Sequence, residues 1–377
     1  MNMKSKLLLL FLALGFIQCS DFLEEQSQSE IRPSTVADME KILETMAYPN
    51  NAVGTLLNRG TDIFTDNVKS NVVDEPSFVS RKEREFWRFI WDSQMFNEGG
   101  GGEDKSFWVS PYERIKGCNL ILEYVDEMQG DAAKKGHMKG EAYALRGYYY
   151  FMLVNLYGEP YNYNKQALGV PLKLTADMET NGTARSTVEE VYKQIVSDLK
   201  AASDLFEKYP KRRGSYRINL PTTNILLSRV YLHMELWDDA IAAATKAIEN
   251  GGVLTNYVNL ESSSTCISSY NYSEVEWVYG NGNTPTRSLS GMVVSTELRN
   301  KFLENPNDTR MNLWFLISGT NWNITKKRLS YPSGTPRTPT NSIRMSEAYL
   351  NRAEAYAQKG ESGAAWDDLS HLRENRY

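Results

Sequence analysis

The sequence predicts a mainly α-helical fold: a tetratricopeptide-like superhelical scaffold with loop-rich insertions that carry a few short strands. Three observations predict it. Apolar residues recur at spacings of three and four over long segments, the mark of helices with a buried face. Two segments in the second half repeat one pattern of small and aromatic residues. Between those two, residues 251–341 lose helical periodicity and are dense in Asn, Ser, Thr, Gly and Pro.

Taken in order, the chain opens with Lys4 and Lys6, an apolar stretch from Leu7 to Ile17, then Gln18 and Cys19. The stretch is too short to span a bilayer and reads as a secretory signal over 1–18. Cys19, followed by "SDFLEEQSQSE", resembles a bacterial lipoprotein processing site, which makes it the candidate for lipidation. The alternative is a cleaved signal with a cysteine nearby by chance. Several acyl chains on one cysteine would hold firmly, since each buried methylene contributes about 0.8 kcal/mol.

Helical spacing then marks "TVADMEKILETMA" (35–47), "PYERIKGCNLILEYVDEM" (111–128), "HMKGEAYALRGYYYFMLVNLYG" (137–158) and "STVEEVYKQIVSDLKAASDLFEKY" (186–209). Ser186 with Glu189 reads as a capping box, and Gly158 with Pro160 as a helix stop. Successive tyrosines in "GYYYF" point about 100° apart on a helix, so they cannot form one flat platform. A helix apolar nearly all round is instead expected to be buried by several neighbours. Cys118, inside "CNLILEYV", reads as a buried free thiol, and Cys266 lies in a Ser-rich loop.

The repeat lies in "LLSRVYLHMELWDDAIAAATKAIENG" and "AYLNRAEAYAQKGESGAAWDDLSHLRENRY". Ser228, Tyr231, Ala240, Ala244 and Ala247 occupy the key positions of the first unit; Ala353, Tyr356, Ala365, Leu369 and Leu372 occupy those of the second, with Gly360 at the turn. Small residues let two helices approach closely while the large one fills the gap beside them. The units are far apart in sequence, so a segment is inserted between them, with β-like pieces such as "EVEWVYG" (274–280). A second irregular region, about 49–109, includes "EGGGGED". The expected organisation is one domain over 19–377, its helical scaffold spanning about 111–250 and 342–377 and its loop-rich, ligand-side segments about 49–109 and 251–341.

Composition narrows the function. A net charge of -5 with no basic run offers nothing to a phosphate backbone, which sets nucleic acid aside. No nucleophile, metal or phosphate-loop motif is present: His137, His233 and His371 lack partners at ligand spacing, and the glycine run 99–102 lacks the Lys-Ser/Thr of a phosphate loop. Neither an enzyme nor a cofactor or metal site is expected.

"CSDFLEE", "WVSPYERIKGCNLIL", "GEAYALRGYYYFMLVNLYGEPY", "STVEEVYKQIVSDLKAASDLF", "NILLSRVYLHMELWDDAIAAATKAI" and "RMSEAYLNRAEAYAQKG" resemble, in this order, the SusD/RagB family of Bacteroidetes outer-membrane nutrient-binding lipoproteins. The resemblance implies a non-enzymatic cell-surface lipoprotein that captures oligosaccharides, or sometimes peptides, for a SusC-like TonB-dependent transporter. The competing reading is a tetratricopeptide-type scaffold lipoprotein that binds other proteins through its helical groove.

Sugar binding requires flat aromatic faces and fixed polar groups for the hydroxyls. Trp91, Trp322, Trp277 and Tyr279 lie in or beside the irregular segments and are the aromatic candidates; Trp108 reads as scaffold. Asp66 and Asn67 sit where related proteins place a loop near the glycan, and Asn281 lies close to Tyr279.

Overall fold

The computed structural model describes residues 33–49, 64–70, 83, 86–96, 106–177, 182–211, 214, 216–260, 272–279, 292–318, 321–324 and 341–377. The signal segment 1–18, Cys19, Cys266, Asn281 and the glycine run 99–102 lie outside these residues.

Helix α1 (Val36–Ile42) begins at a reciprocal cap: the Thr35 hydroxyl accepts the Asp38 amide and the Asp38 carboxylate accepts the Thr35 amide. It runs on as a π-turn through Leu43–Ala47. After strand β1 (Val68–Ser70), α2 spans Ser106–Tyr124. Pro111, expected at the start, lies inside it, where its missing N–H forfeits one bond to the preceding turn. Helix α3 (Ala132–Tyr157) starts earlier than expected because the Asp131 carboxylate caps the Lys134 amide at 2.8 Å.

Strands β2 (Leu168–Pro171) and β3 (Arg185–Thr187) form an antiparallel pair that leads into α4 (Val188–Lys208). The capping box of α4 is Thr187 with Glu190, one residue beyond the expected Ser186 with Glu189. Both registers satisfy the motif. Pairing of Thr187 with Leu168 keeps the chain extended through Ser186, and Glu189 turns outward to Gln166 and Lys193.

Helices α5 (Leu220–His233) and α6 (Trp237–Asn250) are the first repeat unit. The inserted segment contributes β4 (Val275–Tyr279), β5 (Met292–Val294), α7 (Thr296–Leu303), α8 (Arg310–Trp314), β6 (Phe315–Ser318), β7 (Asn321–Ile324) and β8 (Asn341–Arg344). The second unit is α9 (Met345–Gln358) with α10 (Ser362–Glu374). The described strands pair antiparallel as β1–β5, β2–β3, β4–β8 and β6–β7. The β4–β8 pair brings the insertion back so that α9 starts beside α5.

The repeat reading is borne out by packing. Ser228, Ala240, Ala244, Ala247, Ala353 and Ala365 are all buried. Asn351 donates to the Ser228 hydroxyl at 2.9 Å, Arg352 to Thr245 at 3.0 Å, and Arg229 holds Glu347 through two bonds of 2.6 and 2.8 Å. The two units, distant in sequence, are neighbours in space.

Helix α3 is the centre of the core. Gly140 and Gly147 face Phe206 and Leu199 of α4, where an added Cβ would stand 3.0 Å from each side chain. Beside Gly147, Arg146 forks onto Asp198 at 2.7 and 2.8 Å, and the pair is buried. Tyr148, Tyr149 and Tyr150 are buried, as expected. Each hydroxyl direction is used separately: Tyr149 donates to the Ala47 carbonyl at 2.6 Å, while Tyr150 exchanges bonds with Lys173. Cys118 is a free, buried thiol whose pKa is pushed up by burial.

Candidate functional site

The carboxyl end of α3 opens onto a cavity of about 1050 Å³. The helix stops there because Gly158 follows, then Pro160. The Gly158 amide still reaches the Val154 carbonyl at 2.9 Å, and a Cβ would press to 2.8 Å from that oxygen. Tyr157 therefore projects at a helix end, beside the first turn of α2. Trp108 meets it edge-on, with ring centroids 4.8 Å apart at 90°. Phe96 packs against Tyr157 at 5.4 Å and against buried Phe107 at 5.2 Å. Together these rings make an aromatic wall.

The segment 91–96, which supplies Phe96, also forms part of the rim. Residues 86–89 are helical, and the turn that ends them has the Schellman pattern: the Trp91 amide donates to the Arg88 carbonyl at 3.2 Å and the Asp92 amide to the Trp87 carbonyl at 3.0 Å. The residue after such a cap adopts a left-handed backbone and is usually glycine. Here it is Trp91, at φ 55°. A bulky side chain in that region is strained, and strain of this kind concentrates at functional sites. The indole is 59% exposed and lies against Phe64 at 4.8 Å.

Polar groups complete the lining: Asp92, Ser93, Glu159 and Arg185. Arg185 braces the floor, donating from Nε to the Gly169 carbonyl at 2.6 Å and from Nη2 to the Leu168 and Tyr157 carbonyls at 2.8 and 2.9 Å. The same floor is tied to the scaffold from behind. Tyr112 donates to the Pro171 carbonyl at 2.8 Å, and Asn119 to the Lys173 and Thr175 carbonyls at 3.0 and 2.9 Å. The arrangement suits a ligand with apolar faces and hydroxyl edges.

Of the expected site residues, Trp91 lines this cavity. Asp66 and Asn67 are exposed on the turn before β1, two and three residues beyond Phe64, and are not among the residues lining this cavity. Asn281 lies outside the described residues. Trp277 and Tyr279 are corrections. Their rings stack on each other at 4.4 Å, Trp277 also meets Tyr48 and Tyr148 edge-on, and at 0% and 7% exposure neither offers a face to a ligand. Trp322 is likewise buried, in a small cluster with Val294, Phe302 and Phe315. Sitting in a polar stretch of sequence, these rings looked accessible; strand pairing turned them inward.

Trp108, assigned to the scaffold, and Tyr157, on a scaffold helix, prove to be cavity walls, and Arg185 and Glu159 were not anticipated. The signal that pointed here was the Gly158 and Pro160 stop, because a helix end on a rigid frame is where loops gather. Among the described residues no group of three or more His, Cys, Asp or Glu could hold a metal ion.

Residues 21–232 match the SusD-like family described as starch-binding and associating with the outer membrane. The chain is 23% identical over 277 residues to SusD-like protein P25 of Formosa agariphila, a stretch that is 69% of this chain and 49% of that protein. It thus spans about half the length of this curated relative. In fold it is similar to a putative sugar binding protein of Bacteroides vulgatus, with a TM-score of 0.71 at 24% identity over 92% of this chain and 79% of that one. Similar too are a SusD superfamily protein of Bacteroides thetaiotaomicron (0.70, 22% identity, 91% and 80% covered) and surface glycan-binding protein A of Bacteroides uniformis (0.67, 19%, 91% and 81%). At such identities the solved structures establish the fold, a tetratricopeptide-like helical one.

Proposed function

The chain belongs to the SusD-like family of starch-binding, outer-membrane-associated proteins, and from that membership we propose that it captures oligosaccharide nutrients in the cavity at the end of α3. SusD-like proteins are carbohydrate-binding proteins, not enzymes. The proposal covers one SusD-like domain over 19–377, anchored at the outer membrane through lipid on Cys19, facing the cell exterior and passing its ligand to a SusC-like TonB-dependent transporter. No helix among the described residues is long and apolar enough to cross a membrane.

The observation that carries the reading is the pairing of an exposed Trp91 indole with the Trp108–Tyr157 wall around polar groups. Aromatic faces cover the apolar sides of pyranose rings, and carboxylate, hydroxyl and guanidinium groups take up their hydroxyls. Calorimetric titration with a panel of oligosaccharides tests it. Binding weakened by Trp91→Ala is expected; no binding to any glycan overturns it. Co-purification of a transporter barrel tests the partner, and recovery of other proteins alone would favour the scaffold role.

A further inference from the structure

Among the described residues the charges lining the cavity do not balance, and the imbalance points to a ligand chemistry. Asp92 and Glu159 supply carboxylates, while Arg185 is the one cation among the described lining residues. Three backbone carbonyls take the Nε and Nη2 hydrogens of Arg185, among them that of Tyr157, the last residue of α3. Its charge is therefore set against the negative end of a helix 26 residues long. Glu159 is exposed and has no hydrogen bond or ion pair among the described residues. Asp92 accepts the Gln94 amide at 2.7 Å on Oδ1, which leaves its second oxygen for a ligand. The same lining holds the rings of Trp91 and Trp108, and indole faces attract cations.

Resting on the carbohydrate reading above, we infer that the cavity selects glycans whose units carry a free, protonated amine over neutral glycans of equal length and over uronic acids. An ammonium group in the cavity gains the attraction of its carboxylates and of its indole faces. A neutral sugar gains hydrogen bonds alone. A uronate meets two like charges and finds only the two Nη1 hydrogens of Arg185 that the carbonyls leave. The carboxylates border open solvent, so the advantage is modest and salt-sensitive, about five- to tenfold at low ionic strength.

The test is calorimetric titration of the full chain with glucosamine oligomers, their N-acetylated counterparts, glucose oligomers and oligogalacturonates of one length. It is run below the pKa of the sugar amine, at low and high salt. The expected result is that the free-amine oligomers bind about five- to tenfold tighter than the acetylated and glucose oligomers, with the gap closing in salt. In a folded Asp92→Asn/Glu159→Gln variant the ratio of amine to neutral affinity falls toward one. Equal affinity for free and acetylated amines, or strongest binding of the uronates, overturns the charge selection and leaves sugar binding standing. An unchanged ratio in the variant overturns the assignment to these two carboxylates. No binding by any oligosaccharide removes the carbohydrate reading and this inference together.

Discussion

The Tyr150 hydroxyl donates to the Lys173 carbonyl and accepts from the Lys173 amide, each at 2.7 Å. One side chain of the central helix thus pins both backbone groups of a residue just past the cavity floor. Tyr150→Phe removes both bonds, the carbonyl keeping the one it accepts from Asn119, and should cost about 1–3 kcal/mol. Tyr149→Ala also opens a cavity in the core and should cost about 3–5 kcal/mol. Urea denaturation measures both. Oligosaccharide affinity of the folded fraction should change less than stability in each; the reverse would move the site from the end of this helix to its middle.

Trp91 occupies a left-handed backbone position at φ 55°. Trp91→Gly and Trp91→Ala both remove the ring and its contact with Phe64, so both should lose about tenfold in affinity, as for an aromatic contact of about 1.5 kcal/mol. They should differ in stability. Glycine relieves the backbone strain that alanine keeps, so the glycine variant should be the more stable by about 1 kcal/mol. Equal unfolding midpoints would show that the turn relaxes to another conformation.

The two repeat units share one turn. Glu235, at φ 56°, holds in the first unit the place that Gly360, at φ 80°, holds in the second, and each is followed by an amide that returns to a tyrosine carbonyl, Leu236 to Tyr231 and Glu361 to Tyr356. Glu235→Gly should stabilise the fold and Gly360→Ala should destabilise it, each by about 1 kcal/mol. Thermal unfolding of the two single variants checks the opposite signs.

His233 meets Phe151 edge-on at 5.1 Å, and its pKa is held below the ordinary value of 6.5 by burial and, next, by Arg229. The folded state therefore binds this proton less readily than the unfolded chain. Stability from this group is complete above 6.5 and falls as pH drops through 6.5 toward the lower folded value. His233→Gln should flatten that part of the stability profile, measured as denaturation midpoint against pH. An unaltered profile would assign the acid sensitivity elsewhere.

The scaffold was legible because helical spacing and small-residue patterns are local. Ser228, Ala240 and Ala353 declared their burial by position in a repeat, and Gly158 with Pro160 declared a helix end. Errors arose where two local readings were equally good. Ser186 and Thr187 both begin a capping motif, and only the β2–β3 pairing chose between them. Trp277 and Trp91 both sit in irregular sequence; strand β4 carries the first into the core, while a Schellman turn holds the second out in solvent. Nothing in the sequence near Trp277 announces β8 as its partner, because the pairing joins segments more than sixty residues apart.

By itself the sequence determined the helical repeat architecture, the burial of the three tyrosines and the resemblance to a family of surface nutrient-binding proteins. All three follow from periodicities and motifs that act over a few helical turns. Tertiary structure alone decided which aromatic rings line the cavity. Trp91, Trp108 and Tyr157 come from separate segments and line one cavity because α2 and the 91–96 turn come together at the end of α3. A cavity is a property of surfaces left uncovered after packing, and no local pattern specifies what packing leaves uncovered.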